Sequence, residues 1–381
     1  MISILLHRRI LITELLVALV TATFPVFLPI YFSDMGFSAF QIGLAFAVVA
    51  LTAAAVGVAS GILEERVNRY KLLAAAYGGY VVLPLFYSLI QSLHHLFTVT
   101  IFDGIITAFR EGPLYSIFEG ASAKKTTVSV SHLEAAVNLA GFWGPLMAGI
   151  FLSLYPMQAF FRVASTLLLL GFLIYPKNLG PRHRRMSFQK IHSELQFLEH
   201  DIRLHILLAI MFTVSFVLFS KSMALALFMD GLGYSLETIG LVGGLFFVFL
   251  AGSEWLAGMI ETARTRKLLF SFGLILASVS IFLFPLFSQQ WWQLALLALM
   301  FSMGVGLIRP AIFAFLVSNH PAYRHFTTGT LFAASRLGIV AGFFSAGVLI
   351  EYDFSYYFLL SSGLLFLAFL LSLFLKHPHK R

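Results

Sequence analysis

Apolar residues in this chain gather into long runs, without the period-two alternation of a half-buried strand, and short polar segments separate the runs. Each run extends over about 20 residues, the length at which a helix crosses roughly 30 Å of hydrocarbon. Twelve are legible, near residues 10–32, 41–61, 72–92, 96–118, 131–153, 157–175, 204–229, 237–260, 268–288, 291–317, 328–350 and 354–375. Inside hydrocarbon every backbone polar group must find its partner within the protein, so only helices or a closed barrel can span it; runs this long and unalternating exclude the barrel. The pattern predicts an all-α membrane protein with twelve transmembrane helices.

The sequence is also written twice. Gly36, Phe37, Ser38, Ile42, Gly43, Leu44 and Gly61 recur as Gly233, Tyr234, Ser235, Ile239, Gly240, Leu241 and Gly258, each 197 positions later. A repeat on this scale predicts two like halves. The expected organisation is an N-terminal six-helix bundle over 1–175, a cytoplasmic linker over 176–203 and a C-terminal six-helix bundle over 204–381, the two bundles being pseudo-symmetric. Within the linker Phe188, Ile191, Leu195 and Leu198 stand at helical spacing, which suits either a short helix on the inner membrane surface or a solvated tether.

Composition agrees: 59% of the 381 residues are hydrophobic and 11% are charged, more apolar sequence than one soluble core uses. Lysine and arginine accumulate in cytoplasmic loops. With the N-terminus inside, 20 of the 25 fall in cytoplasmic segments and the other five (Arg110, Arg162, Lys221, Arg309, Arg336) fall within predicted helices, leaving none outside. The expected location is the plasma (inner) membrane, multi-pass, with both termini cytoplasmic. The net charge of +8 then reflects orientation against an anionic leaflet and not nucleic-acid binding. Zero cysteines exclude disulfides and thiolate metal sites, and the twelve histidines form no ligand cluster, so neither metal nor cofactor is expected. A phosphate-binding glycine loop and a nucleophile–base arrangement are both lacking, which argues against an ATP-driven motor and against an enzyme.

Four segments carry a family resemblance. The loop after the second run reads Gly61-Ile-Leu-Glu-Glu65-Arg66-Val-Asn68-Arg69-Tyr-Lys71, and its second copy reads Gly258-Met-Ile-Glu261-Thr-Ala-Arg264-Thr-Arg266-Lys267. Both resemble the cytoplasmic loop signature of the major facilitator superfamily, with Glu65 in the place of the usual aspartate and Asn68 in that of the usual glycine. The turn Gly36 to Leu44 is similar to the family's outer turn into helix two. Helix five carries Gly141, Gly144, Pro145 and Gly149, similar to the packing motif of the superfamily's drug:proton antiporters, with His132 where a further glycine usually stands. The resemblance implies two bundles of inverted three-helix repeats that alternate in access, and a conformational latch at Gly61, Glu65, Arg66, Arg69 and Lys71. In such a latch charge-assisted hydrogen bonds break when the halves part.

Charges inside a membrane cost about 2.5–3.5 kcal/mol each on insertion scales, so those retained are site candidates. The acids are Glu14 in helix one, Asp103 and Glu111 in helix four, Glu134 in helix five and Glu254 in helix eight; the bases are Arg110, Lys221, Arg309 and Arg336, with Arg162 expected to snorkel to the interface. By resemblance, helices one, four, seven and ten line the central cavity. Glu14, Asp103, Glu111 and Glu134 are the proton-coupling candidates, and Arg110, Lys221, Arg309, Arg336 and Glu254 the substrate-cavity candidates. Arg110 and Glu111 point to different sides of one helix, whereas Asp103 and Arg110, seven apart, share a face. The resemblance implies a monomeric secondary transporter whose partners are a small-molecule substrate, protons and the bilayer, most simply a proton-coupled exporter of an amphipathic molecule. Uptake or exchange of an organic anion is the nearest alternative, and a non-transporting receptor or scaffold on the same fold is a third.

Overall fold

The computed structural model describes residues 2–120, 126–176, 202–260, 266–319 and 324–375, and every regular element among them is a helix. These are α1 (Ile2–Thr21), α2 (Phe24–Asp34), α3 (Ala39–Arg66), α4 (Arg69–Ser88), α5 (Leu93–Gly120), α6 (Thr126–Leu154), α7 (Met157–Ile174), α8 (Ile202–Gly231), α9 (Leu236–Ile260), α10 (Arg266–Leu283), α11 (Trp291–Asn319), α12 (Arg324–Ile350) and α13 (Phe354–Leu373). The amphipathic spacing expected in the linker falls at 188–198, outside the described residues.

The first predicted run is two helices. Pro25 has no N–H to offer the Thr21 carbonyl and its ring crowds that group, so α1 stops at Thr21 and α2 begins afresh. The Thr23 hydroxyl donates to the Val20 carbonyl at 2.6 Å, and the Phe27 N–H donates to the Thr23 carbonyl at 2.9 Å. Taken together as Arg8–Asp34, the pair is one of nine segments among the described residues that are long and apolar enough to cross a membrane. The helices outside this set are α10, which is shorter, and α4 and α5, whose hydropathy is lowered by the tyrosines, histidines and charges they carry.

The turn that the sequence repeats has a backbone reason. Gly36 and Gly233 have φ of 88° and 78°, the left-handed region that a side chain resists. Each closes its helix with paired bonds: Gly36 N–H to Ser33 and Phe37 N–H to Phe32 in one copy, Gly233 N–H to Asp230 and Tyr234 N–H to Met229 in the other. Phe37 also packs edge-on against Phe32, centroids 6.2 Å apart. Ser38 then caps α3 in a reciprocal box with Gln41, Asn68 caps α4 and Asp353 caps α13.

By packing, the chain forms two compact units, residues 1–186 with 226–244 and residues 187–225 with 245–381. In the first unit α3 lies along α5, α4 lies against α5 and α7, and α1 lies against α6 and α7. Small residues permit the closest approaches. A methyl group at Gly104 of α5 would meet the Val49 carbonyl and Thr52 of α3 at 2.6 Å. Gly144 of α6 rests on the Leu19 carbonyl of α1, and a methyl at Gly149 would meet the Leu236 carbonyl at 2.5 Å. In the second unit α10 packs against α11 and α13, with Gly273 and Gly304 abutting, while Gly338 and Gly342 of α12 rest on the Phe212 and Phe216 carbonyls of α8. Serine hydroxyls cross-link this unit: Ser278 with Ser362, Ser271 with Ser372, Ser215 with Ser335, and Ser220 with Tyr357.

Candidate functional site

Three helices of the first unit converge on one polar cluster. α1 brings Glu14, whose side chain is completely buried. α5 brings Asp103, Thr107 and Arg110, spaced i, i+4, i+7 and hence stacked along one face. α4 brings Tyr77, Tyr80 and Tyr87, all buried and spaced so that they too share a face.

At the centre the Arg110 guanidinium straddles Glu14. Nη2 donates to Oε1 at 2.6 Å and Nε donates to Oε1 and Oε2 at 3.0 and 3.3 Å. The Tyr77 hydroxyl completes the carboxylate by donating to Oε2 at 2.9 Å. On its other side Arg110 Nη1 donates to the Tyr80 hydroxyl at 3.4 Å, with the guanidinium carbon 5.6 Å from that ring's centroid. The Tyr80 hydroxyl lies 3.0 Å from the Thr107 hydroxyl, which donates to Asp103 Oδ1 at 3.3 Å, and the Tyr87 hydroxyl donates to Oδ2 at 2.7 Å. Hydrogen bonds thus run without a gap from Tyr77 through Glu14, Arg110, Tyr80, Thr107 and Asp103 to Tyr87. Tyr175, edge-on to Tyr77 at 5.3 Å and donating to the Tyr70 carbonyl, holds one end of the stripe; Phe24, edge-on to Tyr87 at 5.5 Å, holds the other.

Such a cluster is strong only while complete. Breaking a buried pair by removing one partner costs about 3–5 kcal/mol, because the survivor is an uncompensated charge. Chemically, the chain of acids and hydroxyls can take up a proton at either carboxylate and pass on the change as a rearranged hydrogen bond.

The second unit holds a different kind of charge. Lys221 of α8 is 2% exposed, and its Nζ lies 3.4 Å from the Phe246 ring centroid of α9 and 5.0 Å from that of Phe301 of α11. Among the described residues it forms no hydrogen bond or ion pair. A desolvated cation–π contact returns about 2 kcal/mol, less than the roughly 2.5–3.5 kcal/mol of placing a lysine at the centre of a membrane helix.

The structure therefore brings Glu14, Asp103 and Arg110 into one cluster and keeps Lys221 in another. Glu111 is half-buried on α5, one residue beyond Arg110 and on a different side of the helix. Glu254 on α9 and Arg336 on α12 are half-buried, each with partners of its own. Of the latch residues, Arg69 is half-buried at the start of α4 and Lys71 is exposed. The side chains of Glu65, Arg66, Glu134 and Arg309 lie outside the described residues. In helix five Gly141, Gly144, Pro145 and Gly149 are all buried. Arg162 is exposed. Sequence reasoning missed Tyr77, Tyr80, Tyr87 and Thr107; the signal for the tyrosines was their stripe at helical spacing on a largely apolar helix.

Comparison with known proteins bears on the whole chain. A family model of the Major Facilitator Superfamily matches residues 10–319 and 206–381. The multidrug resistance protein MdtG of Proteus mirabilis (strain HI4320) is 21% identical over 319 residues, spanning 77% of this chain and 76% of that protein. Among solved structures, the nucleoside transporter NupG superposes with a TM-score of 0.84 at 12% identity, covering 97% of this chain and 99% of its own. The peptide transporter POT superposes with a TM-score of 0.78 at 14% identity, covering 96% and 93%.

Proposed function

Because the chain belongs to the Major Facilitator Superfamily, a family of transporters and not of enzymes, we propose that it is a proton-coupled exporter of a small amphipathic molecule. The observation that carries this reading is the Glu14–Arg110 pair, whose carboxylate has no exposed surface and whose hydrogen bonds continue to a second carboxylate at Asp103. A proton arriving on Glu14 removes the charge that holds Arg110. The guanidinium then keeps Tyr80 and, across Thr107, the Asp103 carboxylate as its remaining attractions. Since Glu14 rides on α1 and Arg110 on α5, proton occupancy becomes a force between two helices, which is what coupling to alternating access requires. Asp103 serves as the second proton acceptor, and Glu111 and Glu134 are further relay candidates.

Export as the direction draws on the similarity to a protein named for multidrug resistance and on the glycine–proline motif of helix five. The solved relatives named for nucleoside and peptide transport share the fold at 12% and 14% identity, too low for their substrates to be carried over. The distribution of lysine and arginine supports both termini on the cytoplasmic side of the plasma (inner) membrane; the family resemblance supports a monomer and a latch at Gly61, Glu65, Arg66, Arg69 and Lys71 that parts when the bundles rock.

The test is transport by the purified protein in proteoliposomes loaded with a pH-sensitive dye, with and without an imposed proton gradient. Proton movement driven by a small amphipathic compound, and lost in Glu14→Gln, is the expected result. Compound flux that moves no protons, or proton coupling that survives Glu14→Gln, overturns it.

A further inference from the structure

Lys221 stands apart from the chemistry of the first unit. Its ammonium carries three N–H donors, yet the groups pressed against it are ring faces, which attract the charge without offering an oxygen to bond. Two buried hydroxyls that α8 carries, those of Ser215 and Ser220, are already engaged. Ser220 donates to the Phe216 carbonyl and meets the Tyr357 hydroxyl at 2.8 Å, and Ser215 meets Ser335 at 2.8 Å. Nor does the fold itself call for a lysine: the position 197 residues earlier is Phe24, buried in the matching helix of the first unit.

A ligand oxyanion would supply what the site lacks, a negative charge and acceptors for the three donors. A single cation faced by two phenylalanines suits one negative charge on an apolar body. Among the described residues a polyanion would find one counter-charge at these rings, and a cation would meet repulsion. We propose that Lys221, with Phe246 and Phe301, binds the anionic group of an amphipathic organic monoanion, an aryl or alkyl carboxylate or sulfonate. The ammonium leaves the Phe246 face to bond the anion, and the rings take the ligand's apolar body. This rests on the reading of the chain as a carrier of small amphipathic molecules and narrows that reading by charge.

The experiment compares naphthoate, naphthalenesulfonate and the neutral naphthamide, titrated against the purified full chain in a neutral maltoside detergent and followed by calorimetry and thermal midpoint. Without a proton gradient the measurement stands apart from coupling: proton-driven flux that fails while the anion preference persists removes the coupling reading and leaves this site. The wild type is expected to bind both anions at least about tenfold more tightly than naphthamide, the size of one charge-assisted hydrogen bond. Lys221→Met, apolar and of similar length, is expected to lose that preference without a lower thermal midpoint in the absence of probe. Should Lys221→Met not elute as a folded species, Lys221→Gln losing the preference and Lys221→Arg keeping it carry the same conclusion. Equal binding of naphthoate and naphthamide, no binding of either anion at millimolar concentration, or a preference that survives Lys221→Met overturns the site. Nanodiscs of phosphatidylcholine with and without phosphatidylglycerol separate a soluble anion from a lipid phosphate. Equal naphthoate affinity in both is expected, and affinity lost in the presence of phosphatidylglycerol assigns the lysine to lipid and overturns a soluble ligand.

Discussion

Glu14, Tyr77, Tyr80, Tyr87, Asp103, Thr107 and Arg110 form the polar centre of the first unit; the residues 197 positions later are Met211, Leu274, Ala277, Phe284, Met300, Gly304 and Leu307. The register is secured by Pro113 and Pro310, which stand the same distance apart in α5 and α11, and by the paired turns at Gly36 and Gly233. Met211, Leu274, Ala277, Phe284 and Leu307 are all buried in the second unit. One helical plan is thus filled with acids, an arginine and tyrosines in one copy and with apolar side chains in the other. The plan does not need the charges in order to pack, which is the ground for proposing that those of the first unit serve transport. The reverse holds at Lys221, Phe246 and Phe301, whose counterparts are Phe24, Val49 and Gly104. There the second unit has opened space between helices: α5 approaches α3 backbone to side chain at Gly104, where α11 carries a whole phenyl ring.

The comparison can be broken most forcefully at the ion pair. Glu14→Ala should destabilise the protein by about 3 kcal/mol, the lower end for a broken buried pair, since Arg110, 16% exposed, is left without its carboxylate. The double change Glu14→Met with Arg110→Leu, importing the second unit's residues, should regain most of that in a thermal melt and still transport without protons. A double variant as unstable as the single one would mean that the charges are structural. Next in size is Gly104→Ala, whose methyl meets the Val49 carbonyl at 2.6 Å and should cost about 1–3 kcal/mol by overpacking. Removing one hydroxyl by Tyr80→Phe should cost about 1 kcal/mol and sever the route from Arg110 to Asp103, seen as a changed pH profile of transport beside a nearly unchanged melt.

Where the two copies of the repeat are alike they should answer alike. Gly36→Ala and Gly233→Ala place a Cβ in the left-handed region at a cost of roughly 1–2 kcal/mol each, and unequal melting shifts would show that one turn is strained by its surroundings. The smallest effect belongs to Asp353, fully exposed, whose carboxyl is held below the usual carboxylate range by hydrogen bonding from Ser355. Its capping contribution is complete above that range and fades as pH falls through the lowered value, so amide exchange at Ser355 and Tyr356 should quicken only in acid. Quickening at neutral pH would count against the cap.

Much of the architecture is readable from local signals. Helix length, the Gly–aromatic–Ser turn and the serine cap each depend on residues a few positions apart, which is why the repeat and most of the spans can be read directly from the chain. The broken first helix was legible too, in Pro25, but a hydropathy run reads through a proline whose flanks are equally apolar. Glu14, Asp103 and Arg110 were visible singly as expensive charges. Their joining was not, because Glu14 and Arg110 stand 96 residues apart and nothing local to either names the other.

By itself, then, the sequence determined that the chain is helical, that it is doubled and where most helices begin and turn, since these follow from backbone bonding and from the cost of polar groups in hydrocarbon. Only the tertiary structure decided which charges are paired. It placed Arg110 on Glu14 with a tyrosine on either side and left Lys221 against two phenylalanine rings, because pairing depends on which helix faces pack together, and glycines such as Gly104 and Gly144 set that through contacts across the fold.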